Sequence, residues 1–271
     1  MRFFQKFLLW IYYIVQKIGL LENSLFKKLF WRTYFLYKRQ YEDPFFGLTN
    51  RYPEFFREGN IIDVGANIGY TATVFARAIT SDFQVYAFEP DPQNFDSLRQ
   101  IVSLNKLQEK VVPVQAAVGE TKGAIQLWHN KNHHADHRIA TRKFQTEIDL
   151  EKVSTVNLWS IDSFVVSELK NADVKFIKID VQGYEFAVCL GMEKTLTANP
   201  NAVVALEYMP ESIEELGFEP EQILQFFQDK KYFSYIIEKK GNLKTAHHQL
   251  INKLVQQKGY IDLLFSREAL C

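Results

Sequence analysis

A chain of 271 residues has room for one large domain with an appendage or for two small ones. Its 15% aromatic and 24% charged content is that of a folded globular protein, not a disordered one. The 32 basic residues cancel 32 acidic ones, which argues against a protein whose main task is to coat nucleic acid. Two cysteines, Cys189 and Cys271, support neither a disulfide framework nor a cysteine zinc site and fit a reducing, cytoplasmic compartment.

Residues 3–18, FFQKFLLWIYYIVQKI, place Phe3, Phe7, Trp10, Ile11, Ile14 and Ile18 at helical spacing and predict an amphipathic helix. Lys6 and Lys17 leave its apolar run short of the ~20 residues of a membrane span, and no small-residue site for signal cleavage is present. Between Arg2 and Tyr41 the only acid is Glu22, against eight basic residues mixed with Trp, Phe and Tyr. Two readings stand side by side. One is a helix lying peripherally in an anionic membrane interface on the inner face; the other is a cap packed on the core or an arm for a homodimer. The extension is assigned to residues 1–58, and 59–271 to one domain.

The apolar run 61–64 predicts a strand, 65–69 a tight turn and 70–79 a helix. Residues 84–90 predict a second strand ending in Glu89, which completes a βαβ unit. The turn reads D-x-G-x-N-x-G from Asp63 to Gly69. Its glycines let a ligand approach the backbone, and the free N–H groups of the helix start favour an anionic group. An acid ending the second strand can accept from both hydroxyls of a ribose, and Glu89 follows Gly65 by 24 residues, near the expected spacing. A nucleoside-containing cofactor follows. The dinucleotide pattern needs a third glycine that this turn lacks, so a nicotinamide-dependent oxidoreductase is the rival reading, and a non-catalytic scaffold that keeps the fold is another.

Further along, a helix is expected over Pro92–Leu104, a third strand from Val111, and a strand over 124–129 that leads into NKNHHADHRI at 130–139. Four of the six histidines fall between His129 and His137. A neutral imidazole there can take a hydroxyl proton, with Asp136 orienting it, which makes His134, His137 and Asp136 catalytic candidates and His133 and Arg138 substrate contacts. The same cluster has ligand types for a divalent metal but no established spacing, so no metal is assigned; a solvated loop is the plain alternative. Strands from Phe176, Ala202, Tyr232 and Tyr260 follow, with helices at 184–196 and 220–229. No long helix is expected between the last two strands, as suits an antiparallel edge. Alternation puts Lys178 and Asp180 on one strand face, with Asp180 at the C-terminal end where ligands collect. Asp180 is a catalytic candidate, with helix capping as its plain role. Lys178 and Glu207 are substrate candidates, with a sheet-edge salt bridge as the plain role of Glu207.

IDVGANIGYT (62–71), VYAFEPDPQNFDSL (85–98), AAVGETKGAIQL (116–127) and FIKIDVQGYE (176–185), with LWSIDSF (158–164) and VVALEYMP (203–210), together resemble the FkbM family of S-adenosylmethionine-dependent methyltransferases. The resemblance implies a class I methyltransferase, Rossmann-like α/β fold with a mostly parallel seven-stranded sheet. It implies S-adenosyl-L-methionine as cofactor, with Asp63, Gly65, Asn67 and Gly69 around its methionine part, Glu89 on the ribose, and Asp91 and Ala117 near the adenosine. It also implies methylation of a hydroxyl on a small molecule, sugar or glycan-like acceptor. One position departs from the pattern: Gln182 stands where the family commonly has an acid, keeping the shape and an acceptor oxygen but not the charge.

Overall fold

The structure, a computed structural model, describes residues 31, 33, 35–39, 43–80, 82–130, 137–146 and 152–270. The chain divides into two units, Met1–Asp43 and Pro44–Cys271. In the first, residues 31, 33 and 35–39 are helical, and Trp31 packs on Phe35 one turn away with ring centroids 6.1 Å apart. The amphipathic helix expected over residues 3–18 lies outside the described residues. Among those described, no helix is long and apolar enough to cross a membrane.

In the second unit the strands are β1 (Asn60–Val64), β2 (Val85–Phe88), β3 (Val111–Val114), β4 (Ala117–Val118), β5 (Gly123–Trp128), β6 (Arg138–Ile139), β7 (Val153–Trp159), β8 (Val174–Ile179), β9 (Val203–Tyr208), β10 (Phe233–Ile237), β11 (Leu243–Thr245) and β12 (Ile261–Ser266). Eight form one sheet in the order β11-β10-β12-β9-β8-β1-β2-β3. Its β9-β8-β1-β2-β3 half is parallel and its β12, β10 and β11 are antiparallel. The helices are α1 (Phe45–Arg51), α2 (Tyr70–Ala78), α3 (Pro92–Leu104), α4 (Ile161–Ser167), α5 (Glu185–Leu190), α6 (Glu193–Ala198), α7 (Pro210–Glu215), α8 (Glu221–Asp229) and α9 (His248–Lys258).

Strand β1 is buried at every position because helices cover both sheet faces, which is why it reads as a continuous apolar run. Register fixes which side chains share a face. Ile62 and Ile177 stand together in the main core with Val204 and Leu206, while Ile61 and Phe176 face the other way. There Phe176 meets Phe56 at 4.5 Å and Phe75 at 5.4 Å, and Phe45 closes on Phe75 at 5.6 Å. Residues 44–58 therefore pack within the larger unit, on the other side of the boundary from where sequence patterning put them. Their aromatic residues carry no helical or strand period to show which core they join.

All seven strands expected of the main sheet, and the strand expected over 124–129, are present, and three features differ from expectation. The run from Val111 breaks after Val114, and Ala117–Val118 leaves the main sheet for a second one of order β4-β7-β5-β6. The helix expected over 184–196 is two, α5 and α6, parted at Gly191, where a β-carbon would lie 2.0 Å from the Gly119 carbonyl oxygen. The last connection holds a full helix after all: α9 runs for 11 residues and lays Leu250, Ile251, Leu254 and Val255 on the core. The edge is antiparallel as expected, and β11 adds an eighth strand beyond β10.

Candidate active site

The main sheet delivers the turn after β1 to the C-terminal ends of its parallel strands, where open α/β sheets bind ligands. Gly65 has φ +74°, and a β-carbon there would lie 1.8 Å from the Asp180 carbonyl oxygen, so only glycine lets the β1 and β8 turns touch. Gly69, at φ +89°, serves packing instead: its missing β-carbon would strike Leu98 Cδ1 at 2.5 Å as α2 passes α3.

Glu89, 5% exposed, accepts the Asn67 N–H on Oε2 and the Asp91 N–H on Oε1, both at 2.9 Å. Each oxygen keeps a second lone pair, enough for the two hydroxyls of a ribose. Burial pushes its pKa up to about 7, against the pull of those backbone donors. Asp91 caps α3, with Oδ1 accepting from the N–H groups of Gln93 and Asn94 and Pro92 at the first helical position.

Beneath the turn, Lys178 is buried and gives its ammonium to protein oxygens: the Gly65 carbonyl at 2.9 Å, Asp63 at 3.3 Å and Asp180 at 3.5 Å. Burial pulls its pKa down, but Asp63 and Asp180 outweigh that and hold it well above the ordinary lysine value. Lys178 is thus a strut under the glycine turn and does not face the cleft as a substrate contact would. In the loop after β8, Gln182 donates to Asp180 Oδ1 at 2.8 Å and to Glu207 Oε2 at 3.1 Å. Buried Glu185 closes the same loop by accepting the N–H groups of Val181 and Gly183, and burial raises its pKa to about 7.

The second sheet forms the facing wall. Ala117, Val118, Leu127 and Ile139 supply an apolar surface to the cleft between the walls. A chain of side chains ties this sheet to the first. Ser154 Oγ lies 2.6 Å from His129 Nε2, His129 Nδ1 lies 2.8 Å from Asp91 Oδ2, and His137 Nε2 lies 3.6 Å from that same oxygen. Ligand atoms of Asp91, His129 and His137 fall within 4.8 Å of one another, as in a metal site. However, His137 Nδ1 accepts the Asn130 N–H at 3.1 Å, so its ring proton sits on Nε2 and a metal there would demand an imidazolate. Asp91, His129 and Ser154 form a hydrogen-bonded series through the His129 ring, and His137 stands beside it.

Of the residues assigned to the cofactor, Gly65, Asn67, Glu89 and Ala117 line the cleft, while Asp63, Gly69 and Asp91 stand behind them. Asp180 and His137 line it too, so His137 shares one cleft with Glu89. Arg138 is bound to Glu215, Glu207 sits behind Gln182, and His133, His134 and Asp136 lie outside the described residues. Sequence reasoning passed over His129, Ser154 and Tyr184. Only His129 carried a signal, as the first of the histidine run.

A glycine turn, a buried acid just past the end of β2 and a cleft at the ends of parallel strands are the features of an α/β protein that takes a nucleoside-bearing cofactor. The methyltransferase FkbM domain matches residues 63–234, and the chain belongs to that family, a family of S-adenosylmethionine-dependent methyltransferases. This sets the nicotinamide reading aside. The hexuronic acid methyltransferase AglP of Haloferax volcanii is 25% identical over 171 residues, covering 62% of this chain and 61% of that protein's length. The chain thus spans about three-fifths of the curated relative it matches. Similar solved structures include the methyltransferase FkbM of Methylobacillus flagellatus (13% identity, TM-score 0.46, covering 77% of this chain and 43% of that one). An O-methyltransferase of Bacillus cereus in complex with SAH is another (14%, TM-score 0.45, 82% and 80%).

Proposed function

We propose that the protein transfers a methyl group from S-adenosylmethionine to a hydroxyl of a sugar acid or a related glycan-like acceptor. The observation that carries this is that Glu89, the Gly65–Asn67 turn and Asp180 line one cleft together. The residues fit the cofactor: Gly65 and Asn67 of the turn line the cleft, and both Glu89 oxygens retain accepting capacity. When bound, the cofactor supplies an electrophilic sulfonium methyl.

The chain's own part is to bind, orient and remove a proton. Glu89 and the turn hold the nucleoside end, and the apolar wall of Ala117, Val118, Leu127 and Ile139 excludes water from the other side. Asp180 stands where an acceptor hydroxyl enters, and its carboxylate takes the hydroxyl proton. The relative named for hexuronic acid supports the acceptor class. Purified protein incubated with methyl-labelled S-adenosylmethionine and a panel of uronic acids and neutral sugars is expected to label the uronic acids. Labelling of none of the sugars, or binding of the cofactor with no transfer to any hydroxyl compound, would overturn the reading.

A further inference from the structure

Gln182 sits at φ +55° in the loop between β8 and α5 and spends both protons of its amide nitrogen on carboxylates from two strand ends, Asp180 and Glu207. The loop does not need it for closure, since Glu185 already accepts the N–H groups of Val181 and Gly183. Charged groups surround the pair on every side. Lys178 of β8 reaches Asp180 at 3.5 Å, with Asp63 of β1 behind it; Glu185 stands on α5; and Asp262 of β12 lies directly opposite Glu207 in the ladder. Among the described residues no cation forms an ion pair with Glu207, and Lys178 acts on it only from a distance, as a smaller opposing effect. Burial, then Asp180, Asp262 and Glu185, raise its proton affinity well above that of an ordinary glutamate. A neutral group with two N–H bonds on one atom satisfies both carboxylates at once, whereas a carboxylate at the same place can donate to neither unless it takes up a proton.

We propose that Gln182 is a positioning residue for methyl transfer, its amide clamping Asp180 to Glu207 so that the Asp180 carboxylate faces the cleft and receives the proton lost by the acceptor hydroxyl. This rests on the function proposed above. One proton leaves the acceptor oxygen for each methyl it gains. Asp180 receives it and, with its side chain 37% exposed, passes it to solvent.

Two measurements on wild type, Gln182→Glu and Gln182→Ala test the clamp. Both substitutions keep a β-carbon at this backbone position, so the left-handed conformation costs them what it costs the native glutamine. The first measurement is a ¹³C-carboxyl NMR titration of the full chain without acceptor. The second is the pH dependence of kcat/KM with a uronic acid.

In Gln182→Glu the cluster must hold an additional proton. Its carboxyl signals and the acid limb of the rate profile are expected to move together to higher pH by about one unit or more. In Gln182→Ala, kcat is expected to fall by about 10–100-fold with the acid limb in place, since orientation is lost without added charge. Titration and acid limb superimposed on wild type in Gln182→Glu, or wild-type kcat in Gln182→Ala, would overturn the clamp. Should Gln182→Glu not fold, the kcat of Gln182→Ala decides. A protein that methylates no uronic acid overturns the proposed function and, with it, the role of Gln182 in transfer, whatever its titration. Unshifted variants of an active enzyme count against the clamp alone.

Discussion

The two walls of the cleft are held in different ways. On the main-sheet side the groups around the glycine turn are tied to backbone: Glu89 to the N–H groups of Asn67 and Asp91, Lys178 to the Gly65 carbonyl, Glu185 to Val181 and Gly183; Gln182, bridging Asp180 and Glu207, is the side-chain link beside them. They sit on or beside the C-terminal ends of parallel strands whose residues are largely buried. On the second-sheet side, β4 and β6 are two residues each, and the polar groups are tied to one another, from Ser154 through His129 to Asp91. A wall braced by backbone holds its geometry whatever its side chains do. A wall braced by side chains is as rigid as its weakest link, and its failure stays local.

The hardest way to break the first wall is Gly65→Ala. With φ at +74° and the Asp180 carbonyl where the methyl must go, the variant is expected to lose about 3 kcal/mol or more of stability, along with cofactor binding. Urea unfolding and cofactor calorimetry check it. Wild-type stability with intact binding would mean that the turn yields.

Glu185 sharpens the same comparison through pH. Its pKa is raised by burial to about 7 in the folded protein, so the folded state holds a proton the unfolded chain releases nearer pH 4.5. The native state then binds more protons than the unfolded one, and stability falls as pH rises through this window, by roughly 3 kcal/mol for a buried group of this shift. Gln keeps the accepting oxygen, so Glu185→Gln is expected to flatten that part of the curve and to be the more stable protein at pH 8. Parallel curves for variant and wild type in urea melts between pH 5 and 8 would contradict it.

Next in size is Glu89→Ala, which removes a charged acceptor worth about 1.5–3 kcal/mol in hydrogen bonds and is expected to weaken the cofactor and its demethylated product at least tenfold. Equilibrium dialysis decides; an unchanged affinity would remove Glu89 from the cofactor site. The smallest effect belongs to the other wall. His129→Ala is expected to cost about 1 kcal/mol of stability and to raise the acceptor KM while leaving cofactor affinity within about threefold. Loss of cofactor binding equal to that of Glu89→Ala would show that the two walls act as one.

Much of the first wall was legible in the residues alone. The order strand, glycine turn, helix, strand and terminal acid is local chemistry, and so is Asp91 followed by Pro92, which starts α3 at the expected residue. The apolar run of β1 announces burial on both faces because nothing polar interrupts it except Asp63, which Lys178 partners from the neighbouring strand. Gly69 resembled Gly65 in sequence, yet only packing separates them, one admitting the Asp180 carbonyl and the other Leu98.

What the second wall does was decided in three dimensions. His129 meets Asp91 across 38 positions and Ser154 across 25, Arg138 meets Glu215 across 77, and no period of two or of 3.6 residues encodes such distances. Lys178 read as a cleft residue because alternation fixes which face a side chain takes but not what has been folded over that face; here it is the Gly65 turn. The sequence by itself determined most of the elements, the glycine turn and the family, because these rest on backbone preferences, short motifs and neighbours within a few residues. Which carboxylates, imidazoles and amides converge on the cleft was left to the tertiary structure, because those contacts exist only once the two sheets have docked.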